Sequence, residues 1–157
     1  MSEDGPETDH DAASERFGAV DPGALREIRD VFVEMEPLVE STSLDDPLSP
    51  SELRVTLAEG IGDAAGARFD VQWSVRNYYS FHYTDDAGVD ARFDRHPKPE
   101  GSTSHFHVPP DADSDAIERS CITVTEPRLV ARAVLKCWRR AHDRGTVDGL
   151  NDAASPP

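Results

Sequence analysis

The feature that most constrains the fold of this chain is a strict alternation of apolar and polar residues between positions 69 and 83. Every second residue is apolar in FDVQWSVR, and the same period returns in YYSFHYT after a break at Asn77. Successive side chains of a β-strand point to opposite faces, so this period predicts two half-buried strands joined by a turn or bulge. Their apolar sides would hold Phe69, Val71, Trp73 and Val75 in the first and Tyr79, Phe81 and Tyr83 in the second.

Neighbouring segments extend these two strands into an antiparallel meander. Alternation of Leu53, Val55 and Leu57 predicts a strand before them, and the turn sequence DDAG leads into a short strand at about 89–93. SHFHV is compatible with a brief strand, and SCITVTE predicts a further one with Ile122 and Val124 facing inward.

Helices are predicted at both ends of this meander. Asp21 is a good N-cap ahead of Pro22 at the first helical position, and the apolar face of this helix, which Pro37 ends, comprises Leu25, Ile28, Val31, Phe32 and Met35. A Ser/Pro-rich link follows at 41–51, and PRLVARAVLKCWRRAHDRG predicts a final amphipathic helix that ends at Gly145. The predicted fold is α+β: one antiparallel sheet of about five strands, with an N-terminal and a C-terminal helix packed on it. This single domain would span 20–146, between disordered tails at 1–19 and 147–157.

Composition limits the environment and the partners of the chain. Its 157 residues include 31 acidic and 16 basic ones, for a formal net charge of −15, and only Lys98 and Lys136 are lysine. This composition is typical of proteins from salt-adapted archaea. The charge does not exclude a nucleic-acid partner, because the Debye length falls to about 3 Å in molar salt. The sequence lacks a signal peptide and an apolar run of membrane-spanning length, which predicts a cytoplasmic protein with no membrane contact. Cys121 and Cys137 are expected to be buried thiols.

Three of the six histidines lie within residues 92–112. If SHFHV is extended, His105 and His107 share one face, and His96 and Asp94 come from the end of the preceding strand. Imidazoles titrate near neutral pH, so this group could perform acid–base chemistry on a phosphodiester, with Arg92 or Arg95 on the phosphate and no metal. Two alternatives stay open: three histidines and a carboxylate are also a ligand set for a divalent metal, and the histidines could simply cap loop carbonyls.

The C-terminal helix is basic in an otherwise acidic chain. Between positions 128 and 144 six basic residues face one acidic residue, a balance of +5, which leaves −20 for the rest of the chain. Such a row can neutralise nucleic-acid phosphates, or it can pair with acidic groups of the same fold or of a partner. The predicted nucleic-acid-binding residues are Arg128, Arg132, Lys136, Arg139 and Arg140.

From about residue 69 to Pro110 the chain resembles the TumE-type toxins of prokaryotic toxin–antitoxin loci. The shared pattern is an aromatic strand, an Arg-x-Asp segment that runs into His-Pro, and an H-x-H element. The matching residues are Tyr83, Arg92, Asp94, His96, Pro97, His105 and His107. The resemblance implies a toxin encoded beside a helix-turn-helix antitoxin, with RNA or the translation machinery as the class of target.

Two main hypotheses follow, with a metal-binding domain as a third. In the first, the protein is a toxin, and a metal-independent ribonuclease in particular, which needs no cofactor. Its catalytic residues would be His96, His105, His107, Arg92 and Asp94. In the second, the protein is a non-enzymatic binding module whose basic helix seats an acidic protein partner.

Overall fold

A computed structural model describes residues 17–96, 103–113 and 116–152 of the chain. Its helices are α1 (Pro22–Met35) and α2 (Pro127–Arg144), and its strands are β1 (Val39–Leu44), β2 (Leu53–Leu57), β3 (Ala67–Trp73), β4 (Tyr79–Asp85), β5 (Asp90–His96), β6 (Thr103–His107) and β7 (Ile117–Arg119). All neighbouring strands are antiparallel and follow one another in sequence order, which confirms the predicted α+β meander. Most of the predicted N-terminal tail, the end of the C-terminal tail and Pro97 lie outside the described residues.

The local signals at the helix ends and at the central turn act as predicted. The carboxylate of Asp21 accepts a hydrogen bond from the Ala24 backbone N–H, 3.1 Å away, and caps α1. Gly145 closes α2 in the left-handed conformation. Asn77, with φ of 61°, makes the turn between β3 and β4. That turn ends β3 at Trp73, so Val75 is exposed and does not extend the buried face.

The described sheet has seven strands rather than about five, and two of its elements correct the sequence prediction. Residues 41–44, predicted as the start of a link, belong to edge strand β1. An edge strand is held mainly by backbone hydrogen bonds, so its polar sequence VESTSL gives little apolar signal. The strand predicted in SCITVTE is absent, and Ile117–Arg119 pairs with β6 instead. Ile122 is nevertheless buried, because apolar side chains also pack from irregular segments.

The two faces of the sheet differ in chemistry. One face, here the core face, is apolar, and Phe32 of α1 lies against it with its ring centroid 5.4 Å from that of Phe69 and 6.4 Å from that of Phe81. Both helices contribute buried residues to this single core, and the core face continues to β6 through Phe93 and Phe106. The other face, here the polar face, carries the alternate residues of the same strands. Because side chains alternate between the two faces, the residues that pack in the core also determine which residues lie on the polar face.

No helix in the described part of the chain is long and apolar enough to cross a membrane. Cys137 is buried and Cys121 is partly exposed. Their sulfur atoms are 3.6 Å apart and both residues are free thiols, but the prediction that both are buried is confirmed only for Cys137.

Gly60 provides a test of the packing around the β2–β3 connection. A Cβ atom at this position would lie 2.5 Å from the Ala64 Cβ and 3.1 Å from the Tyr83 hydroxyl oxygen. We expect Gly60→Ala to lower the free energy of unfolding by about 1–3 kcal/mol, because the backbone must shift to make room. Urea denaturation measures the change.

Gly23→Ala is the matched control. Gly23 lies in α1, and the nearest atom to an added Cβ there is the Asp21 Oδ1 at 3.4 Å, an ordinary contact. Alanine favours a helix over glycine by up to about 1 kcal/mol, so this variant should be at least as stable as the parent. Equal stability of the two variants would contradict the packing argument.

Candidate active site

The candidate site lies on the polar face, where β5 and β6 run side by side. Arg92 is opposite His107 in the register, and Asp94 is opposite His105. Arg92, Asp94 and His96 alternate along β5, so all three share this face with the two histidines. The sequence prediction of a short strand at SHFHV, with both histidines on one face, is confirmed.

Asp94 is the centre of the group. Its Oδ2 atom lies 2.7 Å from Arg92 Nε, 2.9 Å from His107 Nε2 and 3.1 Å from His96 Nε2. These four residues are called the Asp94 cluster below. The carboxylate is fully buried, and its second oxygen, Oδ1, has no hydrogen-bond partner in the described part of the chain.

The cluster keeps Asp94 ionised. Burial opposes ionisation, but hydrogen bonds from His107 and His96 and the nearby charge of Arg92 outweigh it and hold the pKa of Asp94 well below its ordinary value. A buried carboxylate that stays charged supplies a fixed negative field to the imidazoles beside it.

The two histidines of the cluster are held differently. His107 is only 6% exposed. Its Nδ1 lies 3.3 Å from the backbone carbonyl oxygen of Asp113, and its Nε2 lies 2.9 Å from Asp94 and 3.1 Å from Arg92 Nη2. Because both of its ring nitrogens already have partners, His107 is suited to hold Asp94 in position.

His96 is the accessible imidazole. Its side chain is 39% exposed, and its Nε2 contacts Asp94. Among the described residues its Nδ1 has no hydrogen-bond partner. A carboxylate hydrogen-bonded to one ring nitrogen orients the imidazole and sets which way its other nitrogen points.

His105, also predicted as catalytic, is opposite Asp94 in the β5–β6 register. It lies on the neighbouring strand and lines a separate cavity of about 450 Å³ with Ser104, Ile117, Glu118 and Arg119. Arg119 is opposite His105 in the β6–β7 register. Sequence reasoning missed Arg119 because the strand that carries it was not predicted; the apolar–acidic–basic triplet Ile-Glu-Arg is too short to show a period.

The same cluster offers metal-ligand atoms. A carboxylate oxygen of Asp94 and one ring nitrogen each of His96 and His107 lie within 4.8 Å of one another. This spacing suits a divalent ion. However, the Arg92 guanidinium contacts two of the three ligands, Asp94 through Nε and His107 through Nη2. A metal ion would have to displace this fixed positive charge, so the donor set fits a metal poorly while Arg92 stays in place.

The predicted nucleic-acid-binding residues of α2 differ in their surroundings. Arg139 is paired with the buried Glu36 and with Asp143, and Arg140 donates to the Gly149 carbonyl oxygen. Arg128, Arg132 and Lys136 are exposed. Helix α2 packs with α1 on the core-face side, whereas the Asp94 cluster lies on the polar face. A nucleic acid on this helix would therefore be across the sheet from the histidines.

Removal of the central charge tests how the cluster is held. We expect Asp94→Asn to cost about 3–5 kcal/mol of unfolding free energy at pH 7, because it leaves a buried cationic network without its counter-charge. The pKa of Asp94 is lower folded than unfolded, so its stabilising effect is present above a pH of about 4 and declines below it. The difference between parent and variant, from urea denaturation, should shrink over that acidic range.

Asp90→Asn is the control for this measurement. Asp90 is on the same strand and contacts His82 Nε2 and Thr84 Oγ1, but its side chain is 36% exposed. Its replacement should cost at most about 1 kcal/mol, since exposed pairs contribute little. A cost for Asp94→Asn no larger than this would rule out the central role of the carboxylate.

The family model described as Toxin TumE matches residues 27–144, a span that includes the whole Asp94 cluster. This span extends well beyond the segment from about residue 69 to Pro110 that carries the sequence resemblance. No curated protein and no solved structure matches the chain.

Proposed function

The chain belongs to the TumE toxin family, and from this premise we propose that it is a toxin that cleaves RNA by acid–base catalysis at the Asp94 cluster. Family membership makes it the toxin of a toxin–antitoxin pair and implies an antitoxin partner. RNA as the target and the chemical role of the cluster are the proposal.

The observation that carries the proposal is the pairing of the buried Asp94 carboxylate with the half-exposed ring of His96. An imidazole oriented in this way can remove a proton from an RNA 2′-hydroxyl through its free Nδ1 atom. The resulting 2′-oxygen attacks the adjacent phosphorus, a 2′-O–P bond forms, and the bond from phosphorus to the 5′-oxygen breaks. The departing 5′-oxygen takes up a proton, which leaves a cyclic phosphate and a free 5′-hydroxyl.

Neighbouring residues have matching roles in this scheme. Arg92 keeps a guanidinium beside the carboxylate, where it can also face the negative charge that develops on the phosphoryl oxygens. His105 and Arg119, paired across β6 and β7, add a second imidazole and a second guanidinium to the same side of the sheet. His107 contacts Asp94 through Nε2 and helps to hold the carboxylate in position.

Substitution of the exposed histidine tests the proposal. We expect His96→Ala to abolish growth inhibition on induced expression, and to slow cleavage of an RNA oligonucleotide at least about 100-fold, because a general base contributes that much or more. An RNA carrying 2′-deoxyribose at the cleaved nucleotide should resist the parent protein. Gel analysis of labelled oligonucleotides measures both effects.

His82→Ala is the matched control. His82 is also on the polar face, has a side chain 35% exposed against 39% for His96, and is likewise hydrogen-bonded to an aspartate. It is outside the Asp94 cluster, so we expect toxicity and cleavage to persist. The proposal fails if His96→Ala stays as toxic as the parent while folded, or if the two variants lose activity equally.

A further inference from the structure

A groove between the two helices is the surface that stands out on the side of the domain away from the Asp94 cluster. It has a volume of about 290 Å³ and lies where the end of α1 meets the middle of α2. Its lining combines two apolar and four charged side chains: Met35, Glu36, Arg132, Leu135, Lys136 and Arg139.

The apolar part of the groove is accessible. Met35 is 49% exposed, although it falls on the predicted apolar face of α1, and Leu135 is the buried residue beside it. An unbranched methionine at the mouth of a groove adapts its shape to an apolar side chain of a partner.

The charges of the groove fall into two sets. Glu36 and Arg139 form a salt bridge at the groove, and Glu36 is buried, so these two charges largely cancel. Arg132 and Lys136 are exposed, one helical turn apart, and neither has an ion-pair or hydrogen-bond partner among the described residues. In a chain with a net charge of −15, two free cations beside an exposed apolar side chain form a distinct docking surface.

We propose that this groove is the docking site for an acidic amphipathic segment of the antitoxin. Apolar side chains of that segment would contact Met35, and its carboxylates would pair with Arg132 and Lys136 on the rim. The proposal rests on the family assignment, which implies the partner, and on charge complementarity. It does not depend on the RNA chemistry proposed above.

RNA fits the same groove less well. Each cation neutralises about one phosphate, so two free cations support only weak, salt-sensitive binding. Methionine and leucine also lack the aromatic faces on which bases stack.

Fluorescence anisotropy with the full-length chain tests the proposal. The probe is a labelled 18-residue helical peptide with leucines along one face and glutamates beside them, and the comparison ligands are a scrambled peptide of the same composition and a 12-nucleotide RNA. We expect the amphipathic peptide to bind most tightly. Arg132→Glu combined with Lys136→Glu should weaken it about tenfold or more, because two attractions become repulsions. Met35→Ser should weaken it several-fold.

Two controls match these variants. Arg144→Glu reverses one charge on the same helix, half the change of the double variant, and Val33→Ser removes an exposed apolar side chain from α1; neither residue lines the groove. Both should change the peptide affinity less than twofold. Equal losses in controls and groove variants, equal binding of the scrambled peptide, or no binding of either peptide would overturn the proposal.

Two further outcomes separate the alternatives. If the RNA binds more tightly than the peptide, and the groove variants abolish that binding, the groove is a nucleic-acid site and the proposal is wrong. His96→Ala should bind the peptide normally, because His96 does not line the groove. Failure of the docking proposal is therefore distinguishable from failure of the proposed RNA cleavage.

Discussion

A buried, ionised carboxylate is the constraint on which the candidate site depends. Asp94 is fully inaccessible, and its charge persists because Arg92, His96 and His107 all direct nitrogen atoms at one oxygen. Such a group is costly to bury alone and acceptable only within a complete set of partners. The need to satisfy this one charge therefore fixes the positions of two imidazoles and a guanidinium, and it leaves the His96 Nδ1 without a partner among the described residues.

The sheet separates the two proposed activities. Alternate side chains of the same strands either join the aromatic core beneath the helices or line the polar face with the Asp94 cluster. The helices, packed on the core side, present the groove and its free cations in the opposite direction. A toxin organised in this way can contact an antitoxin on one surface and a nucleic acid on the other, with distinct residues responsible for each.

Sequence reasoning succeeded where the signal is local. The alternation at Phe69–Trp73 and Tyr79–Tyr83, the cap at Asp21 and the stop at Gly145 each reflect the conformation of a few adjacent residues, and all are present in the structure. It failed at β1 and β7, the two edge strands, because they are held by backbone pairing with a neighbour and bury few apolar side chains. The sequence also predicts that the basic residues of α2 form one nucleic-acid-binding surface. Arg139 instead pairs with Glu36, which is distant in the sequence.

The sequence by itself determined the period of the strands, and with it the placement of Arg92, Asp94 and His96 on one face and of His105 and His107 on one face. Only the tertiary structure decided which imidazole meets the carboxylate. The β5–β6 register sets Arg92 opposite His107, and the Asp113 carbonyl, six residues beyond His107, engages its second ring nitrogen. Register and loop closure depend on the packing of the whole sheet, so the difference between a fixed His107 and an accessible His96 is not encoded in their spacing.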